Sequence, residues 1–198
     1  MSKLQTKLLL LAFLFSVPAY AAEKPTSIKK QTTAANYLTA QEAYDLKQQQ
    51  GKKLLFVDIR TPSELVFVGS PENLDINIPF LTIDYKQWNE KESSFKKVPN
   101  KQFLLGFSHV VNSKNLTKDS SIILLCRSGK RSAKAANLLS SIGYTKVYTV
   151  VDGFEGDKRK LGKNKGKRGV NGWKNAGLPW TYKLDRSRLD LEHTSFEK

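Results

Sequence analysis

Apolar residues fall into short blocks separated by polar stretches, and two of the blocks are unbroken. Leu54-Leu-Phe-Val57 and Ile122-Ile-Leu-Leu125 contain no polar residue. A half-exposed strand alternates in polarity, whereas a strand covered on both faces reads as a continuous apolar run, so both are predicted as buried strands. Val147 to Val151 is a further β-branched strand, and Ile76 to Phe80 is a weak strand or extended segment. Between these runs the period changes. Thr39-Ala-Gln-Glu42 has the side chains of a capping box, Leu38, Ala43 and Leu46 form an apolar stripe, and Gly51 follows as a helix stop. Pro62 suits the first turn of a short helix through about Phe67. Phe103 to Val111 reads as helical, and Ser132 to Ile142 places Ala, Leu and Ile at helical spacing ahead of Gly143. Residues 69 to 75 and 86 to 100 are polar and read as loops. Helix and strand alternate along the chain, which predicts an α/β fold with a central, mostly parallel sheet flanked by helices.

The first residues follow a different logic. Lys3 and Lys7 precede the apolar run Leu8 to Val17, and Ala19-Tyr-Ala21 supplies small residues for cleavage after Ala21 or Ala22. This is the pattern of an export signal over residues 1–22. The run is about ten residues, half of what a membrane-spanning helix needs, and no transmembrane segment is expected after cleavage. A bacterial periplasm is the expected destination. Residues 23–36 are polar and Lys- and Thr-rich, and read as a flexible leader to a domain at 37–182. Residues 183–198 read as a C-terminal tail.

Export changes the meaning of the charge and of the cysteine. The chain has 33 Lys and Arg against 18 Asp and Glu, a net +15 that falls to +13 when Lys3 and Lys7 leave with the signal. Such a surface draws anions, but export removes nucleic acid as a partner. One cysteine, Cys126, stands in a compartment where cysteines usually pair. It excludes an internal disulfide framework and any zinc site needing two thiolates. His109 and His193 are far apart in sequence and give no metal spacing. Trp173 and Trp180 read as packing residues.

Cys126 stands at the carboxyl end of the most apolar strand, where open α/β sheets place their ligands. Arg127, Ser128, Gly129, Lys130 and Arg131 follow it into a helix start. Free backbone N–H groups and the helix dipole favour an anion there, Gly129 permits unusual backbone angles, and three cations surround the sulfur. The result is an activated sulfur nucleophile in a cationic cradle, suited to attack on, or storage of, an anionic sulfur or phosphorus group. Asp58 and Arg60 lie at the carboxyl end of another strand. They read as an ion pair fixing the loops rather than as reacting groups.

These residues resemble a known family. Cys126-Arg-Ser-Gly-Lys-Arg-Ser132 is similar to the active-site loop of rhodanese-type sulfurtransferases. Phe56-Val-Asp-Ile-Arg-Thr-Pro-Ser-Glu64, Asn77-Ile-Pro-Phe80, Val150-Val-Asp-Gly-Phe-Glu-Gly156 and Gly172-Trp-Lys-Asn-Ala-Gly-Leu-Pro-Trp180 resemble four further motifs of the family, in its order. There are two departures. Gly69-Ser70 stands where a Gly-His pair is common, and residues 157–171 form an insertion rich in Lys, Arg and Gly that reads as an exposed basic loop. Phosphatases sharing this fold carry Cys-x5-Arg. Here position 132 is Ser132 and the cation falls one residue earlier, at Arg131. The resemblance therefore implies sulfur transfer, with Cys126 as nucleophile and Arg127 to Arg131 as the substrate-binding loop. It implies no metal and no cofactor. A small anionic donor such as thiosulfate would load the sulfur as a Cys126 persulfide, and an external thiol or other thiophile, an anionic protein among the candidates, would remove it. The competing expectation is a non-catalytic sulfur carrier or partner-binding module on the same fold.

Overall fold

A computed structural model describes residues 22–34 and 36–194. Residues 1–21 of the expected export signal lie outside the described residues, as do residues 195–198 of the tail. In chain order the elements are β1 (Tyr37–Leu38), α1 (Ala40–Gln50), β2 (Leu54–Asp58), α2 (Pro62–Val68), β3 (Ser70–Pro71), β4 (Ile76–Asn77), β5 (Leu81–Asn89), β6 (Ser94–Pro99), α3 (Phe103–Ser113), β7 (Ser121–Leu125), α4 (Lys130–Ser141), β8 (Val147–Val150) and β9 (Trp180–Thr181). The central sheet has the order β1-β8-β7-β2-β4, and every pairing in it is parallel.

The continuous apolar runs have the meaning expected of them. Every residue of β2 and of β7 is buried. Successive side chains leave a strand on opposite faces, so each run feeds two cores. Leu55, Val57, Ile122 and Leu124 pack with Phe103, Phe107 and Val110 of α3 and Ala135, Ala136 and Leu139 of α4. Leu54, Phe56, Ile123 and Leu125 pack on the other face with Ala40, Ala43 and Leu46 of α1 and with Trp173. Trp173 is a packing residue as expected, its ring 5.3 Å from Phe56 and its indole N–H on the Pro179 carbonyl. The box at Thr39 forms, with the Glu42 amide on the Thr39 hydroxyl and the Glu42 carboxylate on the Thr39 amide.

Four polar segments carry structure that their sequence reading did not supply. Residues 86 to 100 are not a loop. They belong to a two-stranded antiparallel arm formed by β5 and β6, with a register slip between Asp84 and Trp88. No residue of either strand is fully buried, so no core imprints an apolar alternation on this stretch. The leader is not free over residues 22–34. Lys30 is buried and reaches Asp157 at 2.8 Å, and the Thr33 amide donates to Asn137 of α4 at 2.9 Å. The tail closes the far edge of the sheet, where Leu189 bridges Asn77 in parallel and the Asp190 amide donates to the Asn77 carbonyl at 3.0 Å. The basic insertion is exposed over residues 158 to 167, yet it has internal order. Lys158 and Arg168 form an antiparallel bridge, with the Arg159 amide donating to the Lys167 carbonyl at 2.9 Å and the Gly169 amide to the Asp157 carbonyl at 3.3 Å.

Because no residue of β5 or β6 is fully buried and the arm leaves the domain where Leu81 pairs with Pro99, residues 82–98 should be dispensable for folding. Replacing them with an Asn-Gly turn is expected to change the free energy of unfolding by less than about 1 kcal/mol. Urea unfolding followed by far-ultraviolet circular dichroism measures this, and a loss of several kcal/mol would show that the arm is part of the core.

Candidate active site

Cys126 follows directly on β7 and is 1% exposed. The loop behind it is pressed against the turn that follows β8. Gly153, at φ 66°, lies so close that a Cβ there would sit 2.6 Å from the Cys126 carbonyl oxygen, and one at Gly129, φ 85°, would sit 2.2 Å from the Val151 carbonyl oxygen. Only glycine fits either place. The turn pairs with the loop: the Phe154 amide donates to the Cys126 carbonyl at 2.8 Å and the Glu155 amide to the Arg127 carbonyl at 3.0 Å. In a trans peptide N–H and C=O point opposite ways, so holding the carbonyls on one side turns the following amides to the other.

The loop then becomes the first turn of α4, and this helix has no side-chain cap at Gly129. Its leading N–H groups lack intrahelical acceptors. The sulfur takes the place a capping oxygen would hold, with the Ser132 amide donating to Cys126 Sγ at 3.4 Å. The Ser132 hydroxyl stands 3.6 Å from Sγ, donates to the Gly129 carbonyl at 3.0 Å, and lies 2.6 Å from the Thr149 hydroxyl. Among the described residues no group of three or more His, Cys, Asp and Glu could hold a metal ion. His109 and His193, distant in sequence, do meet, with ring centroids 5.6 Å apart, and His193 Nδ1 lies 2.8 Å from Asp190.

The cations of the loop do not act as one set. The Arg131 guanidinium grips Glu64 with two bonds of 2.7 and 2.5 Å, so it clamps the loop to α2 and is not free to steer a donor. Glu64 also caps α2, taking the Thr61 amide at 3.1 Å. Arg127 is half-buried and Lys130 exposed. Two further cations, on elements the sequence reading left out of the site, are influenced by the charge of Arg127. Partial desolvation lowers the pKa of Lys97, on β6, and the neighbouring charges of Arg127 and Arg131 lower it further. Desolvation and then the charge of Arg127 lower the pKa of Arg168, with Glu155, Asp157 and Cys126 acting the other way. Arg168 is anchored to the Gly156 carbonyl.

Asp58 and Arg60 are an ion pair, as expected, and both side chains are 0% exposed. Arg60 Nε donates to Asp58 at 3.0 and 2.9 Å, and Nη2 donates to Asp58 at 2.6 Å and to the Gly69 carbonyl at 2.9 Å. The guanidinium lies 4.0 Å over the Phe154 ring, beneath the turn that seats the Cys loop.

Burial raises the Glu64 pKa, but the Arg131 hydrogen bonds and charge outweigh it and bring it from 4.5 to about 2. The clamp therefore stabilises the fold fully above about pH 4.5, and this contribution disappears as the pH falls through about 2. Glu64→Gln is expected to be less stable than the parent by on the order of 3 kcal/mol at pH 7, a gap that closes by pH 2. Denaturant unfolding over this pH range measures it; a gap independent of pH would mean that the Glu64 charge is not what clamps the loop.

A family model described as rhodanese-like domain matches residues 39–160. The chain is 36% identical over 127 residues to the protein RP600 of Rickettsia prowazekii, covering 64% of this chain and 81% of that one. It is 36% identical over 63 residues to the thiosulfate sulfurtransferase GlpE of Tolumonas auensis, covering 29% of this chain and 59% of that one. The crystal structure of Rv0390 from M. tuberculosis superposes with a TM-score of 0.53 at 28% identity, covering 75% of this chain and 98% of that one. A parallel five-stranded sheet with a Cys loop capping the helix after β7, matched over most of the domain by that family model, places this chain in the rhodanese-like domain family, a family of the sulfur-transfer type.

Proposed function

We propose that the protein is an exported sulfurtransferase in which Cys126 accepts sulfur from thiosulfate and passes it to an external thiol. One observation carries the reading: Cys126 Sγ occupies the capping position of α4, where it accepts from the Ser132 amide at 3.4 Å. The thiolate attacks the outer sulfur of thiosulfate. The new S–S bond forms as the old one breaks, sulfite leaves with the electron pair, and Cys126 becomes a persulfide anion. The loop amides hold that anion as preorganised donors hold an oxyanion. Arg127 and Lys130 draw in the dianionic donor. The match to a thiosulfate sulfurtransferase supports thiosulfate as donor. The clamp on Glu64 favours sulfur over phosphate, because it takes the Arg131 fork that would otherwise grip a phosphoryl group. Export rests on the N-terminal signal pattern of residues 1–22 and assigns the work to the periplasm.

Incubation with thiosulfate should raise the intact mass by one sulfur atom, and added cysteine should remove it. Repeated cycles releasing sulfite distinguish an enzyme from a carrier that discharges only to one partner. Cys126→Ser should take up no sulfur and keep its fold, since a hydroxyl of similar size ionises far less readily. Transferable sulfur on the serine variant would overturn the assignment of the nucleophile.

A further inference from the structure

The persulfide reading requires an outside acceptor, and the surface around the mouth has the chemistry to select one. Residues opposed across paired strands share a face of the ribbon, as do residues two apart on one strand. Phe95 and Lys97 therefore share a face of β6, and Ile83, the partner of Lys97, joins them. Tyr85 and Trp88 pack edge-on against the Phe95 ring, with centroids 5.2 and 5.5 Å away, so they belong to that face too. The three rings remain open to solvent, Tyr85 at 65%, Trp88 at 49% and Phe95 at 44%. Scattered surface apolar residues need no explanation, but two exposed aromatic rings packed on a third form the kind of patch that marks an interaction site.

This face borders the element that holds the Cys loop. Ile83 and Tyr85 line a pocket with Thr61, Pro62 and Ser63 at the start of α2, whose Glu64 grips Arg131 of the loop, and Arg168 of the insertion donates to the Gly156 carbonyl in the turn that seats the loop. Two elements from distant parts of the chain thus flank the Cys loop. The other cations of the insertion, Lys158, Arg159, Lys160, Lys163, Lys165 and Lys167, are exposed. Aromatic rings lie on one flank of the loop and the exposed cations of the insertion on another.

We propose that the aromatic face of the arm and the basic insertion form one docking surface for an acidic protein that carries the acceptor thiol on an exposed segment. The proposal rests on the sulfur-transfer reading above. Cys126 is too buried for a flat folded surface to reach, which calls for a projecting segment. A second copy of this chain is excluded as occupant by charge, since its own insertion would face this one. An anionic lipid surface would satisfy the lysines and the rings, but it offers no thiol and would cover the mouth. Once docked, the acceptor thiol attacks the outer sulfur of the Cys126 persulfide. The bond from that sulfur to Sγ breaks as the new S–S bond forms, Cys126 departs as the thiol, and the acceptor leaves as the persulfide, with no oxidant required.

The test compares persulfide discharge to free cysteine, to a synthetic peptide of Glu and Leu ending in one Cys, and to its Lys-for-Glu counterpart. The acidic peptide is expected to discharge Cys126 on the order of tenfold faster than either of the others at low salt, and to lose that advantage as salt rises. The advantage should disappear in a Tyr85→Ser, Trp88→Ser, Phe95→Ser variant. It should also disappear in one with Lys158, Lys160, Lys163, Lys165 and Lys167 changed to Gln. Both variants should load from thiosulfate and discharge to free cysteine as the parent does. An acidic peptide no faster than cysteine, or one indifferent to either variant, overturns the proposal. So does binding to anionic phospholipid vesicles with the same dependence on rings and lysines. If Cys126 takes up no sulfur at all, the transfer reading fails separately. Docking is then judged by quenching of Trp88 fluorescence with a Ser-ended form of the acidic peptide, where absence of quenching overturns it.

Discussion

The buried pair of Asp58 and Arg60 is the interaction on which the site depends. Removing two charges from water costs several kcal/mol per ion, which their mutual attraction and further hydrogen bonds must offset. Here the partners are drawn from every segment around the carboxyl ends of the strands. The Gly69 carbonyl that ends α2 accepts from Arg60. The Asn77 amide donates at 2.8 Å to the carbonyls of both Asp58 and Arg60, and through Asn77 the pair connects to β4 and the tail. The Phe154 ring covers the guanidinium, and the Phe154 amide holds the carbonyl of Cys126. Both charges are engaged within this network. They fix where the reactive loop sits.

Helix capping shows how chemistry and folding share residues here. Both α1 and α2 begin with a Thr hydroxyl and a Glu carboxylate satisfying each other's amides. The first turn of α4 is left to the sulfur. Glu64 serves twice, as the cap of α2 and as the clamp on Arg131, so the start of one helix holds the start of another in place. The geometry at Cys126 is therefore set by residues that would be needed for folding even in a protein without activity.

Much of this was legible in the sequence, for physical reasons that differ by residue. The runs at Leu54 and Ile122 announce burial on both faces because nothing polar interrupts them. Cys126 stands out because an unpaired thiol, a glycine and a helix start coincide. The Glu64 clamp on Arg131 bridges 67 positions and leaves no local pattern. Lys97 escaped for a related reason: the arm is a ribbon with two solvated sides, so its alternation follows no core and reads as an ordinary polar stretch. The leader and the tail looked free because single contacts hold them, such as Lys30 on Asp157, rather than an apolar stripe.

The absence of buried side chains from β5 and β6 bears on how this protein can change over generations. A substitution in the core is judged first by whether the chain still folds, and most such changes are rejected before their effect on activity matters. On the arm that filter is nearly absent. New rings, charges or lengths can be sampled there while the loop at Cys126 and its clamps stay as they are. The fold thus separates the part that must remain constant from a part free to drift, and lineages descended from this chain could alter which molecules they engage without rebuilding the end of the sheet that carries Cys126.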